Sequence, residues 1–367
     1  STASRRNLDP KKGIGNTVPA GICHSILPDG RCISLFKVLL TNNCLNDCFY
    51  CQNRKDRNTC RTSFAPEELA KLFLEFYKRN YVEGLFLSSG ISNTPDSTME
   101  EIIKVAKILR KKYLFGGYIH LKILPGASEM AIEEASNLGD RISINIEAPS
   151  EEHFLKLSLR KNFSEDIMKK FNILKRLNLE RKIHSGFTTQ LVVGGAGESD
   201  IDIVKTIFNL YKRYGLKRAY FSAFQPVPQT PLENHPPTPL IREHRLFESD
   251  FLLRKYGFSF NELPFNILGN FPLEKDLKSS YAELHPEFFP IDVNNASYEE
   301  LLRTPGIGLI SAQRILKVRK DSKITSLKEL KNMGVVVKRA ESYLTIKEKD
   351  ISLEALEEKP ITLWDYV

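Results

Sequence analysis

The chain has 367 residues, 41% hydrophobic and 27% charged, with a formal net charge of +8. That composition is ordinary for a globular protein with one large domain and a smaller one. No apolar run of about 18 residues occurs, so no membrane-spanning segment is expected. Nor does the start, Ser1-Thr2-Ala3-Ser4-Arg5-Arg6, carry the apolar core of a secretory signal, so the cytoplasm is the expected location.

Residues 1–34 are polar and rich in Gly and Pro and read as a loop segment. Six short, nearly all-apolar runs follow, at Leu35–Thr41, Gly84–Ser89, Tyr118–Leu124, Arg141–Glu147, Phe187–Val193 and Arg218–Phe224. Each has the composition of a strand buried on both faces. Amphipathic stretches near 66–80, 97–113, 128–138, 164–178 and 199–214 read as helices between them. The first starts at Ser63 or Ala65 before Pro66 and the acidic pair Glu67 and Glu68. The last starts at Ser199 and Asp200. Such alternation predicts a parallel sheet with helices outside it, as a barrel or a doubly wound sheet, with chemistry at the C-terminal strand ends.

Gln225–Pro239 holds six prolines in fifteen residues and reads as a stiff extended connector. A helix near 240–256 and an irregular aromatic stretch over 257–289 are expected to pack on the core. From residue 290 the pattern changes to short helices with Gly turns. The expected division is therefore 1–34, 35–225, 226–289, 290–347 and a tail over 348–367.

All six cysteines lie before residue 61: Cys23, Cys32, Cys44, Cys48, Cys51 and Cys60. Clustering of this kind suits a metal site better than a disulfide scaffold. Cys44, Cys48 and Cys51, at spacings of four and three, fall on the loop after the first strand of the alternation. Iron–sulfur clusters usually take four thiolates. Three would leave one iron open to an exogenous chelator, as in an open catalytic zinc site. The alternative is a zinc knuckle completed by His24 or a further cysteine.

Cys-x3-Cys-x-aromatic-Cys at this place resembles the motif of the radical S-adenosylmethionine (radical SAM) superfamily. The resemblance implies a [4Fe–4S] cluster on the three cysteines, with S-adenosylmethionine (SAM) chelating the open iron. It also implies reductive cleavage to a 5′-deoxyadenosyl radical, fed by a separate electron donor. Ser88-Ser89-Gly90 stands where that family often has a Gly-Gly-Glu-like turn for the methionine amino group. By the same resemblance Ser143, Asn145 and Glu147 face the ribose, and Val192-Val193-Gly194-Gly195-Ala196-Gly197-Glu198, preceded by Gln190, approaches the adenine. Tyr50, Tyr220 and Ser222 are expected to face the cavity, with Cys60, Tyr50 or Tyr220 as candidate hydrogen-atom relays. Cys23 and Cys32 are candidates for a second metal site, against the plainer alternative of two buried thiols.

Between Arg303 and Arg339 ten Lys and Arg stand against two acids, Asp321 and Glu329, so this segment carries an excess equal to that of the whole chain. Leu301–Leu316 reads as a helix, a Pro305-Gly306-Ile307-Gly308 hairpin and a second helix. It resembles the helix-hairpin-helix module, in which a hairpin and a helix start meet a phosphate. Ser311, Arg314, Lys317, Arg319 and Lys320 would add contacts and counter-charge. A weaker copy around Gly334 is followed by Lys338.

The whole chain further resembles radical SAM proteins regarded as DNA modification or repair enzymes, through Gly21–Ser25, Asp29–Cys32, Glu83–Ile91, Asp140–Glu147, Arg242–Leu246 and Ala296–Gly308. The expected architecture is an α/β partial (βα)6 TIM-like barrel followed by a small all-α tandem helix-hairpin-helix domain. The expected function is radical chemistry on a nucleic acid, DNA by preference, with a DNA-metabolism protein as a candidate partner and the nucleoid as the site of action. A base in a duplex is out of reach, so flipping or a single strand is expected. The rivals are an RNA-modifying enzyme and a non-catalytic iron–sulfur nucleic-acid-binding protein.

Overall fold

A computed structural model describes residues 22–26, 32–346 and 349–350. The chain divides into two compact units between Glu243 and His244.

In the first unit the chain runs β1 (Ile22–Ile26), β2 (Cys32–Leu39), α1 (Pro66–Lys78), β3 (Gly84–Ser88), α2 (Pro95–Lys107), β4 (Tyr118–Lys122) and α3 (Glu129–Leu138). It continues through β5 (Arg141–Ser143), α4 (Glu151–Leu155), α5 (Lys169–Leu179), β6 (Phe187–Val193), α6 (Asp200–Tyr214) and β7 (Arg218–Ala223). Helix α7 (Leu240–Lys255) spans the division.

The helix starts follow local chemistry. Ala65 precedes Pro66 and its amide donates to Glu68 at 3.2 Å. Thr94, Ser128 and Ser199 cap α2, α3 and α6 with their hydroxyls, each satisfying an amide the helix leaves unpaired.

The seven strands lie in sequence order, with β2 to β7 parallel and β1 antiparallel at the edge. Sequential order means every crossover turns the same way, so the sheet is a curled half-barrel and not doubly wound. One face is sealed: Leu85, Leu87, Ile119, Leu121, Ile142 and Leu191 are fully buried. The other, inner face holds half-buried Lys37, Phe86, Tyr118 and Tyr220.

Two expectations need correction. Ile22–Ile26, read as loop, is a strand whose Cys23 pairs with Leu35; five residues on a sheet edge are too few to show a period. Strand β5 stops at Ser143 and does not reach Glu147. The reason is Thr189, whose Oγ1 donates to Ile144 O at 2.7 Å and accepts from Ile146 N at 3.0 Å, taking a place in the ladder. Pairing with β6 resumes at Glu147, which has φ +64°, a rare conformation for a residue with a side chain.

In the second unit α8 (Leu277–Leu284) precedes β8 (Ile291–Asp292), α9 (Tyr298–Arg303), α10 (Leu309–Val318), α11 (Leu327–Asn332), α12 (Val337–Ala340), β9 (Leu344–Ile346) and β10 (Lys349–Asp350). To the expected helices the structure thus adds three short strands, β8 pairing parallel with β9 and β10 antiparallel with it. The core is Leu301, Leu302, Ile307, Ala312, Ile315, Leu330 and Val335 with flanking residues. Asn294 clamps the two helical pairs, its side chain donating to Ile324 O at 3.0 Å and accepting from Ile324 N at 2.8 Å.

On α5, Phe171 is fully buried against Phe187 and Tyr214, whereas Leu179 is 73% exposed. Phe171→Ala is expected to cost the first unit about 3–5 kcal/mol, and Leu179→Ala less than about 0.5 kcal/mol. Urea denaturation of the two variants checks the contrast.

Candidate active site

The cysteine loop leaves β2 alongside the end of β3, with Leu40 N donating to Ser88 O, Gly90 N to Thr41 O and Leu45 N to Ile91 O, each at 2.8 Å. A Cβ on Gly90 would lie 2.4 Å from Asn43 O and 3.0 Å from Cys44 Cβ. Only glycine lets these two segments meet.

Asp47, between the first two cysteines, pins the loop from the other side. It is 7% exposed, and its carboxylate accepts from Ser158 Oγ at 2.6 Å, Leu159 N at 3.1 Å and Arg160 N at 3.4 Å. Burial works against its charge, but these donors outweigh burial and hold the carboxyl below its ordinary range. Phe49 N adds a bond to Leu157 O at 2.8 Å. Beyond the cysteines, the Arg61 guanidinium ties down the turn by donating to Asn42 O, Asn53 O, Arg54 O and Arg57 O.

The loop closes one side of a cavity of about 420 Å³ at the C-terminal ends of the strands. Of the residues singled out from sequence, Cys44, Cys48, Cys51, Tyr50, Ser88, Ser89, Gly90, Asn145, Glu147, Gln190, Val192 and Ser222 all line it. Ser143, Tyr220 and Cys60 do not. Ser143 and Tyr220 sit deeper on the inner face of β5 and β7, and Cys60 is exposed on the loop beyond.

Two lysines that the sequence reading passed over, Lys122 at the end of β4 and Lys161, also line the cavity. Their one signal was a cation in an otherwise apolar strand and a cation after α4. Burial disfavours charge on Lys161, but Cys48, Glu147 and Cys51 outweigh it, and a hydrogen bond to Cys48 holds its ammonium well above the ordinary lysine value. Burial pulls Lys122 down. Burial, then Glu147, Cys48 and Cys51, pushes the Tyr50 phenol well up, with a hydrogen bond to Glu147 adding to the effect. Tyr50 is therefore a neutral donor facing a carboxylate. Burial also raises the Cys51 thiol to about 11.

The donor set fits a cluster with an open iron. Ile91 N points at Cys44 Sγ at 3.5 Å, Asn53 N at Cys51 Sγ at 3.4 Å, and Lys161 at Cys48, the pattern that stabilises thiolates. Buried Ser89 Oγ has no partner among the described residues, so the wall keeps an unused polar group for a polar ligand. Among the described residues no three His, Cys, Asp or Glu side chains converge on a single ion site. A cluster takes each thiolate on a different iron, so convergence is not required of it.

Cys23 and Cys32 are not drawn together. In the β1–β2 register Cys32 faces Ile26, three positions from Cys23, which faces Leu35. Nothing among the described residues supports a second metal site there.

In the second unit Gly306 has φ +79° and its Cβ position lies 2.6 Å from Val336 O, while Val336 N donates to Gly306 O at 3.0 Å. The first hairpin thus binds the second, backbone to backbone, and this is where its glycine is needed. Pro305, Ile307 and Ser311 are buried, and Gly308 caps α10. Arg319 donates to Val293 O and Ala296 O and Arg314 to Met333 O, so both brace the fold. Gly334 (φ +88°) turns the second hairpin beside Ser311. Lys317, Lys320 and Lys338 are exposed, and the first two line an open cavity of about 510 Å³ with Asn294, Gln313, Leu316 and Arg319. Lys278, missed from sequence, donates from Nζ to Ile307 O at 2.6 Å under the hairpin. Burial, and then Arg339, lowers it to about 7.

Residues 38–210 match the Radical SAM superfamily model and residues 288–338 the helix-hairpin-helix motif. An uncharacterized protein of Methanocaldococcus jannaschii is 30% identical over 142 residues, 37% of this chain and 34% of that protein. The chain therefore spans about a third of that relative's length. Among solved structures, methylornithine synthase (PylB) is similar at 16% identity over 59% of this chain and 60% of that one, with a TM-score of 0.47. The radical S-adenosylmethionine methyltransferase TsrM from Kitasatospora setae is similar at 13% identity over 57% and 39%, with a TM-score of 0.41. Among the described residues no helix is long and apolar enough to cross a membrane.

Two outcomes are expected. Asp47→Ala leaves the buried Ser158 hydroxyl and the part-buried amides of Leu159 and Arg160 without their acceptor; it should cost about 1–3 kcal/mol and lower the iron retained per chain, measured by denaturation and iron analysis. For Lys278, the unfolded chain holds the proton up to its ordinary 10.5 whereas the folded state releases it near 7. The second unit should therefore gain stability as pH rises between these values. Hydrogen exchange should show a smaller gain in Lys278→Met.

Proposed function

We propose, from the premise that this chain carries a radical SAM domain and a C-terminal helix-hairpin-helix domain, that it is an enzyme acting on a nucleic acid, DNA by preference, in modification or repair. One observation carries the chemical half of the reading. Three cysteines on one pinned loop open into the same cavity as the ends of β3, β4, β6 and β7 and the polar segment after β5.

Cys44, Cys48 and Cys51 would hold the cluster, and Ser89, Asn145, Glu147, Gln190, Val192 and Ser222 would line the SAM site, with Tyr50 between the two sets. When bound, cluster and SAM supply reductive cleavage and hydrogen-atom abstraction, with the electron coming from a separate donor. Asp47 and Gly90 set the position of the loop, and Lys161 keeps a positive charge against Cys48. Tyr50 keeps its proton and donates it in a hydrogen bond to Glu147, holding that carboxylate at the cavity edge.

The nucleic-acid half rests on the second unit. Exposed Lys317 and Lys338 lie on the helices that follow the two hairpins, and exposed Lys320 lies just past the end of α10, where they supply counter-charge to a backbone without reading sequence. Such contacts would hold a strand while a single base is presented to the cavity.

Anaerobic, reduced protein with SAM and single-stranded DNA is expected to release 5′-deoxyadenosine and yield an altered nucleoside by mass spectrometry. Cys44→Ala should abolish both. Lys317→Glu with Lys320→Glu should weaken strand binding and lower its salt slope by about two. Clear preference for RNA would move the substrate. Absence of 5′-deoxyadenosine with either nucleic acid would leave only an iron–sulfur binding protein.

A further inference from the structure

Below the cysteine cavity, the inner face of the half-barrel has a charge pattern that the cluster and SAM do not explain. Register aligns Lys37 of β2, Phe86 of β3, His120 of β4 and Arg141 of β5 in one row across four strands. Lys37 Nζ lies 5.2 Å from the Phe86 ring centre, and Phe86 stacks on the His120 ring at 4.1 Å. Two residues further along, Lys122 is in register with Ser143, and Arg218 of β7 is inward-facing with Tyr220. No Asp or Glu occupies an inward position of β2 to β7. Lys37 and Lys122 thus lie on a sheet face whose strands supply no carboxylate, a setting that favours an anion.

The same face contains unused hydrogen-bonding atoms. His120 and Ser143 are each 5% exposed, and His120 Nε2 and Ser143 Oγ have no hydrogen-bond partner among the described residues. Two such groups, diagonally placed on adjacent strands, would cost stability unless something else meets them. Lys37 and Phe86 are only half-buried, in contrast to the sealed outer face, so the row is open at the end nearest β2.

We propose that Lys37, His120, Lys122 and Ser143 form a binding site for the phosphate group of a nucleotide drawn into the half-barrel. The donors come from three strands and two levels of the sheet, which suits an acceptor with several oxygens at different heights better than a planar carboxylate. Lys122 belongs both to this site and to the cysteine cavity, so a nucleotide held here adjoins the reacting space. Neutral His120 donates from Nε2 and Ser143 from its hydroxyl, while Lys37 and Lys122 supply the charge. Burial, followed by Arg141, Lys37 and Lys122, holds the imidazole well below its ordinary value, which keeps it neutral with one N–H to donate. That the phosphate belongs to a nucleotide rests on the nucleic-acid reading above; that the site takes a phosphate does not.

The test is calorimetry on the full anaerobic chain with thymidine, thymidine 5′-monophosphate and inorganic phosphate as probes. The monophosphate is expected to bind at least about tenfold more tightly than the nucleoside, with inorganic phosphate competing. Lys37→Met and Ser143→Ala should each weaken the monophosphate, and Lys37→Arg should restore most of the affinity, which separates lost charge from a damaged fold. Equal affinity for nucleoside and monophosphate, or an unchanged affinity in both Lys37→Met and Ser143→Ala, overturns the site. Single-stranded DNA binding that responds to Lys317→Glu and Lys320→Glu would survive that result, leaving the nucleic-acid reading standing. Tight inorganic phosphate without preference for the nucleotide, alongside no DNA binding, would retain the site and sink the reading.

Discussion

A buried carboxylate sets the place of the chemistry in this protein. Asp47 lies inside the cysteine motif and accepts from Ser158, Leu159 and Arg160, residues more than a hundred positions away. Such a group is stable only while its donors remain paired with it, so the bonds fix the loop against the segment after α4. The opposite side of the loop is held by backbone bonds to the end of β3 and by the close approach of Gly90 to Asn43. Between these two restraints the three thiols have little choice about where they face. Lys161, on the segment that Asp47 anchors, then comes within hydrogen-bonding reach of Cys48.

The sheet divides its labour by face. The outer face is apolar and sealed under helices, and it accounts for the stability of the unit. The inner face is more polar and basic, with Lys37, Phe86, Tyr118 and Tyr220 half-buried and Leu35, His120, Arg141 and Ser143 buried. The left-handed Glu147 sits where these two demands collide: Thr189 breaks into the ladder, β5 ends early, and the strained residue places its carboxylate beside Tyr50. Backbone strain of this kind persists only where surrounding structure holds it in place. Here the bonds of Glu147 to Gln190 and Val192 do so.

The second unit solves a different problem. Its helices are short, several of them six residues or fewer, and none would be stable alone. Stability comes from a shared core and from polar clamps: Asn294 across two segments, Arg319 on two carbonyls, Lys278 on the hairpin carbonyl. Some basic residues are thereby committed to the fold, whereas Lys317, Lys320 and Lys338 stay exposed.

From sequence alone came the alternation of strands and helices, the cysteine triplet and the Pro-Gly-Ile-Gly hairpin, because each is written in local periodicity, spacing or turn chemistry. Strand order along the sheet, which excluded a doubly wound arrangement, lay beyond local signals. So did the edge strand Ile22–Ile26, too short to carry a period. The roles of Asp47, Lys122, Lys161 and Lys278 were equally hidden, since a charged residue acquires its meaning from what is buried beside it. Gly306 shows the same limit: the sequence marks a tight turn, but only the packed chain reveals that the backbone it meets is Val336 of the second hairpin. Local composition determines which elements form, whereas the partners of buried charges are decided when distant segments come together.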